Sequence, residues 1–207
     1  ENSPIWVADA SNVEETRTLY VNDIPAKLAK SKYEYNASSS YVVEGSNFAN
    51  DGLVVSKTNF PKSFAHPEDL MLGWNILWLC QRTPVETVID KGNELIFVME
   101  QTAWNVMSYH GNVHTLVGAD KPFFIENALE LLDEPGEFYF DKYEKKMYYY
   151  PFSNEDMLTA NTYCGTTEQL LYLGGSDISQ KLSNVELNNI TFKYGALNSV
   201  NKIGTYY

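Results

Sequence analysis

Residues 126–151 read ENALELLDEPGEFYFDKYEKKMYYYP. Acids crowd the first half of this stretch and three tyrosines close it. Two readings compete. Glu126, Glu130, Asp133, Glu134 and Glu137 could be catalytic acids beside a sugar-stacking aromatic wall. Alternatively, the stretch is a hairpin with its charges in solvent and its rings in a core. Local chemistry favours the hairpin. Glu134-Pro135-Gly136-Glu137 has proline second and glycine third in a four-residue turn, a type II signature, because glycine accepts the positive φ cheaply. GEFYFD and MYYYP then read as short strands joined by KYEKK. Period two puts Tyr148 and Tyr150 on one side, where they are expected to pack in a core or between modules. The carboxylates flanking the turn are expected to point to water. Glu126, with Asn127 ahead of a helical turn at ENALELL, is expected to reach backbone donors instead.

Upstream, the pattern is also β. PIWVAD (4–9) is a strand candidate. RTLYVNDIPAKLAK (17–30) places Leu19, Val21 and Ile24 around the turn-prone pair Asn22-Asp23, which predicts a hairpin whose second strand continues through Ala26 to Lys30. Tyr41 to Glu44 and Leu53 to Ser56 are further strands, and HPEDL (66–70) is a loop leading into another. In MLGWNILWLCQRTPVETVID (71–90), Trp74, Ile76, Trp78 and Cys80 alternate with Asn75, Leu77, Leu79 and Gln81. Period two predicts one strand with an aromatic face. Pro84 interrupts it, and VETVID begins the next strand. Lys91-Gly92-Asn93 is a turn before ELIFVME (94–100), so these neighbours pair antiparallel.

The composition excludes several functions. Fifteen basic and 27 acidic residues among 207 give a formal net charge of −12. Nucleic-acid affinity rests on Lys and Arg neutralising phosphate, so neither nucleic acid nor an anionic membrane surface is an expected partner. No apolar run approaches the roughly 18–20 residues of a membrane span. Cys80 and Cys164 make neither a disulfide framework nor a zinc motif, and two free, mostly buried thiols are expected. Both ends, ENSPIWVADA and KIGTYY, read as cuts within a longer protein.

The chemical candidates are few. His110 and His114 lie four apart in YHGNVH, but a glycine between them spoils the helix that would put both on one face, and no metal site is expected. Gly-x-Ser-x-Gly is absent. Trp74 and Trp78 sit on the apolar period-two face and are expected in the core. Trp104, with Tyr109 and His110, sits in the irregular stretch 101–125. Long irregular loops carried by a rigid sheet concentrate binding function, so these three residues are the candidate carbohydrate contacts.

The last forty residues change character. EQLLYLGG (168–175) is a short apolar strand ended by two glycines. NVELNNITFKYGAL (184–197) alternates Val185, Leu187, Ile190, Phe192 and Tyr194, slipping by one residue at Asn188-Asn189. A bend with stacked Asn suits one rung of a parallel β-helix, and a single rung needs neighbours to bury its faces.

Four motifs carry a resemblance. RTLYVNDIPAKLAK (17–30), PEDLMLGWNILWLCQRTPVETVI (67–89), ENALELLDEPGEFYFDKYEKKMYYYP (126–151) and NVELNNITFKYGAL (184–197) are similar to segments of bacterial right-handed parallel β-helix proteins related to glycoside hydrolases, of the α-fucosidase and β-xylosidase type. The third motif is the most specific. There are two departures: Asp23 stands where those proteins carry the glycine of the LYVNG turn, and Thr83 stands where cysteine is common. The resemblance implies an all-β chain, with an inserted antiparallel β-sandwich-like module at 1–165 and the first, incomplete coils of a parallel β-helix at 166–207. It implies that the catalytic carboxylates lie on later coils, so no catalytic residue and no cofactor is expected here. The expected function is a non-catalytic portion of a carbohydrate-active, polysaccharide-degrading protein, secreted or in the cell envelope. Its partners would be an oligo- or polysaccharide and the remainder of the β-helix. The alternatives are a carbohydrate-binding module using the loop around Trp104, and a structural or homodimerising module.

Overall fold

The structure, a computed structural model, describes residues 4–60, 63–76, 79–101, 103–105 and 121–200. Within them the chain is mostly β. The strands are β1 (Trp6–Asp9), β2 (Leu19–Val21), β3 (Ile24–Pro25), β4 (Lys27–Leu28), β5 (Ala37–Tyr41), β6 (Gly52–Ser56), β7 (Met71–Ile76), β8 (Leu79–Asp90), β9 (Glu94–Met99), β10 (Phe123–Glu126), β11 (Glu137–Asp141), β12 (Lys146–Tyr149) and β13 (Thr162–Cys164). They form a six-stranded sheet in the order β10-β7-β8-β9-β6-β5, a four-stranded sheet β1-β12-β11-β4, and a three-stranded sheet β13-β2-β3. Pairing is antiparallel throughout except between β11 and β4.

The four-stranded sheet stands between two cores. Tyr139, Tyr148 and Tyr150 face the larger one, with Leu53, Leu72, Trp74, Phe97, Trp104, Phe123 and Ile125. Phe138, Phe140, Met147 and Tyr149 face the smaller one, with Leu19 and Val21 of the three-stranded sheet. This explains FYF and YYY: period two puts successive rings on opposite faces, and both faces are covered. Phe123 lies at the centre of the larger core, 5.5 Å from Trp74 and 6.0 Å from Tyr35 between ring centroids. Removing a buried ring of this kind costs about 3–5 kcal/mol.

Several expectations hold. The 126–151 stretch forms the β11–β12 hairpin, preceded by a 3-10 turn at Leu129–Leu131. Gly136 takes φ +87°, and Glu137 N–H closes the turn onto Glu134 O at 3.3 Å. Asn22 and Asp23 both take positive φ, 50° and 67°, the two-residue loop whose twist matches a hairpin.

Others are corrected. The stretch 71–81 is not one strand, because β7 and β8 pair as a hairpin closed at Ile76↔Leu79. The reversal changes the phase of alternation: Cys80 stands across from Asn75, while buried Gln81 stands across from Trp74. Pro84 does not break β8. Met71 is its partner on one side, and from Val85 onward the strand pairs with β9, with a register shift between Val85 and Thr87. A proline has no N–H to give, so it is tolerated where the ladder changes partner. Ala26 to Lys30 do not extend β3; the chain crosses over, and Lys27–Leu28 join β11 as a parallel strand. The strand expected at Tyr41 to Glu44 lies earlier, at Ala37–Tyr41.

Residues 166–199 carry no assigned strand, and every residue from 166 to 193 is exposed. Asn184, Asn189 and Tyr194 take φ 57°, 57° and 62°, so left-handed corners recur at five-residue intervals between short runs of chain. Asn tolerates this conformation better than other non-glycine residues.

Candidate functional site

The carboxylates of the 126–137 stretch are held by structure. Glu126 is buried on β10, and its Oε1 accepts from Arg82 Nε at 2.9 Å and from Arg17 Nη2. Its task is structural, as expected, but its partners are two guanidiniums rather than backbone donors. Glu130 Oε1 accepts the Ala65 N–H at 2.8 Å. Asp133 and Glu134 are exposed. Glu137 corrects the expectation that the acids flanking the turn face water. It is buried and accepts the N–H groups of Glu134 at 3.2 Å and of Lys30 and Asp133 at 3.3 Å. Desolvation raises its pKa above the usual carboxylate range, against the pull of those backbone bonds.

A second acidic group lies at the 3-10 turn Pro67–Asp69. Glu68, Asp69, Glu14, Glu15 and Lys142 line a cavity of about 230 Å³. Asp69 pairs with Lys142, and Glu68 accepts the Tyr143 hydroxyl at 2.7 Å. His66 stacks on Tyr143 at 4.1 Å between ring centroids. Desolvation raises Asp69 while Lys142 pulls it down, and the net shift is upward. Desolvation also raises Glu68, but the Tyr143 hydroxyl and His66 outweigh it and leave it lowered. Paired carboxylates with opposed shifts are a pattern of acid–base sites. Here both are engaged in clamping the β11–β12 turn onto the six-stranded sheet.

The sugar contact expected at Trp104 meets a buried ring. Trp104 is 0 % exposed, sits in a helical turn whose N–H bonds Glu100 O, and packs 5.9 Å from Trp74. Long-range packing turns it inward, so in this arrangement its faces are covered by core side chains. Tyr109 and His110, like Trp78 and His114, lie outside the described residues. No group of three metal-binding side chains occurs among the described residues. Cys80 and Cys164 are free and half-buried; Cys80 Sγ contacts Asn75 Oδ1 at 3.1 Å and Arg82 Nη1 at 3.0 Å.

The C-terminal segment is fastened to the sheets at one seam. Tyr194 sits against Tyr20, 5.1 Å away, and stacks on Tyr163. Its hydroxyl donates to Asp23 Oδ1, and Lys193 Nζ reaches Asp23 Oδ2 at 3.1 Å. Those two donors lower the Asp23 pKa, and Asp23 in turn raises the Tyr194 hydroxyl to about 12. Thr16 Oγ1 donates to Gly165 O at 2.9 Å, and Arg17 N–H to Asn198 Oδ1 at 3.2 Å. In sequence Asp23 stands out only as half of a turn-prone pair, where similar proteins carry glycine; its partners lie about 170 residues downstream, beyond any local signal.

Beyond the seam, Leu170, Leu171, Tyr172, Leu173, Val185, Leu187, Ile190 and Phe192 are all exposed, Tyr172 to 72 %. Monomeric surfaces rarely present so many neighbouring apolar side chains unless something docks on them.

Comparison with known proteins places this geometry. No curated protein matches the sequence. Among solved structures, the chain is similar to one described as a glycoside hydrolase, with a TM-score of 0.77 and 22% identity. The alignment covers 99% of this chain and 36% of that one, so this chain spans little more than a third of that relative's length. At that identity the likeness establishes the fold alone. The family described as the GH141 insertion domain matches residues 3–152, which takes in β1 through β12. The chain belongs to the GH141 insertion domain family.

Proposed function

We propose that residues 1–165 are the insert proper and that residues 166–207 are the first coils of a right-handed parallel β-helix, on which the parent enzyme continues. The parent is read as a polysaccharide-degrading glycoside hydrolase of the α-fucosidase or β-xylosidase type, with its catalytic carboxylates on coils outside these residues. One observation carries this reading: every residue from 166 to 193 is exposed, although the run is rich in Leu, Val, Ile and aromatic side chains. A β-helix rung has this composition and buries it only between neighbouring rungs. The left-handed corners at Asn184, Asn189 and Tyr194 are consistent with a coil that turns at regular intervals.

Hydrogen exchange tests the docking. In a longer chain that carries the following coils, amides 185–192 should gain strong protection relative to the 207-residue chain. Equal exchange in the two chains would refute the coil reading. Catalysis is tested separately. The 207-residue chain should not hydrolyse aryl glycosides, and turnover abolished by a single carboxylate substitution within it would overturn the assignment.

A further inference from the structure

The six-stranded sheet has a second face. Tyr41 pairs with Gly52, Gly52 with Val98 and Val98 with Thr87, so these four residues form one row across β5, β6, β9 and β8. Directly paired residues share a face, and successive residues along a strand alternate. Leu53, Phe97 and Val88 form the adjacent row, and they pack in the larger core. The Tyr41 row therefore faces the other way. Ile89, two residues beyond Thr87, shares its face. Glu86 is the extra residue where β8 shifts register against β9; it is exposed, so it turns to this side rather than into the core.

Beside this face the chain makes a loop from residue 42 to 50, and one buried carboxylate holds it. Asp51, 2 % exposed, accepts the Val43 N–H at 2.8 Å through Oδ2 and the Ser46 hydroxyl at 2.8 Å through Oδ1. Ser46 Oγ in turn accepts the Phe48 N–H at 3.1 Å. Between loop and sheet lies a groove of about 460 Å³, within the range of small-molecule sites. Val98, Thr87 and Ile89 line it from the sheet, and Val43, Glu44 and Phe48 from the loop. Gly52 puts no side chain between Tyr41 and Val98, and none fits there, since a Cβ would lie 2.0 Å from Phe97 O. A sheet that carries an ordered loop is a common setting for binding.

Two kinds of group meet a ligand there. Val43 and Phe48 are 38% and 40% exposed, and half-buried Tyr41 lines the groove with them. Glu44 and Glu86 are exposed carboxylates, one following β5 and one on β8. Those strands are three inter-strand steps apart, about 14 Å, so the acids flank the apolar surface from opposite sides. A carboxylate accepts hydrogen bonds and donates none. The lining therefore suits a ligand with donors round its edge and C–H surface on its face, and a sugar ring has both. The floor offers no free ladder to an extended peptide, because β6 and β9 are each paired on both sides. We infer that this groove binds a glycan through one sugar unit, with Tyr41 and Phe48 against the ring face and Glu44 and Glu86 accepting its hydroxyls. The inference rests on the carbohydrate-active reading of the parent only in the choice of glycans to test.

The test is isothermal titration of the 207-residue chain with xylohexaose, cellohexaose, a fucosyllactose and, as the basic peptide, hexalysine. At least one oligosaccharide should bind. Phe48→Ala should weaken that binding at least tenfold, and Glu44→Ala and Glu86→Ala several-fold each, with unchanged circular dichroism, since all three side chains are exposed. Asp51→Asn should weaken it too, by loosening the loop; should that variant fail to fold, the three exposed positions read the site. No binding of any oligosaccharide, or binding that survives Phe48→Ala and the paired Glu44→Ala and Glu86→Ala substitutions, overturns the inference. Hexalysine binding in the absence of any oligosaccharide binding would assign the groove to a basic peptide and overturn it as well. The docking reading is decided by exchange at 185–192 and is untouched by any of these results.

Discussion

The ring of Tyr194 lies 4.4 Å from that of Tyr163 at an interplanar angle of 12°, and its hydroxyl donates to Asp23. One side chain thus ties the C-terminal segment both to β13 and to the β2–β3 turn. Asp23→Ala or Tyr194→Ala should speed amide exchange across residues 190–197 at least tenfold at neutral pH, read by mass spectrometry. The folded Asp23 pKa is depressed, so its contribution is present above the unfolded value of about 3.9 and is lost as pH falls through the lower folded value. Exchange should therefore be insensitive to this residue's ionisation between pH 6 and 8, and the segment should loosen only in strong acid. An unchanged exchange pattern in both variants would sink the anchor.

Glu126 Oε1 pairs with both Arg17 and Arg82, with side-chain exposures of 6%, 9% and 28% for the three residues. Glu126→Ala should cost about 3–5 kcal/mol, the usual effect of breaking a buried pair from one side. Urea denaturation measures it as a lowered midpoint at constant slope. Glu126→Gln keeps an acceptor oxygen and should lose less. A loss below about 1 kcal/mol in Glu126→Ala would mean that the guanidiniums are satisfied without it.

The sign reverses at Glu137. Its folded pKa is raised, so the native state holds its proton to higher pH than the unfolded chain does. Its contribution is fullest below the unfolded value of about 4.3 and declines as pH rises through the folded value. Glu137→Gln should flatten that decline, because the amide cannot ionise. Stability curves of the two proteins that run parallel across this window would show that burial does not hold the proton.

Gly73 is the space under Phe124. A Cβ there would lie 2.2 Å from the ring, which is itself buried beneath Lys30 Nζ at 3.9 Å from its centroid. Gly73→Ala should destabilise by about 1–3 kcal/mol through overpacking. Phe124→Leu in the same background should restore part of the loss, and thermal melting distinguishes the two.

Much of the fold was legible where the signal is local. Asn22-Asp23, Lys91-Gly92-Asn93 and Glu134 to Glu137 name their turns by residue type, and the strands beside them follow. What local pattern could not carry was choice of partner. Trp74 through Cys80 alternates smoothly through a chain reversal, and Pro84 looks like a break until β9 takes over the ladder from β7. Burial of charge was equally hidden. Glu134 and Glu137 look alike in sequence, but only Glu137 meets backbone N–H groups from a crossing strand. Trp104 lies in an irregular stretch whose pattern carries no burial signal, while its ring packs against Trp74, thirty residues away.

The β11–β12 hairpin has no solvent side. A slip of one residue in its pairing would carry Phe138 and Phe140 into the chamber built for Tyr139, and Tyr149 into that built for Tyr148 and Tyr150. Both chambers would be misfilled at once, and β1 and β4, which read their alignment from these two strands, would shift with them. ENALELLDEPGEFYFDKYEKKMYYYP therefore works as a ruler: it sets the alignment from which the outer layers take theirs.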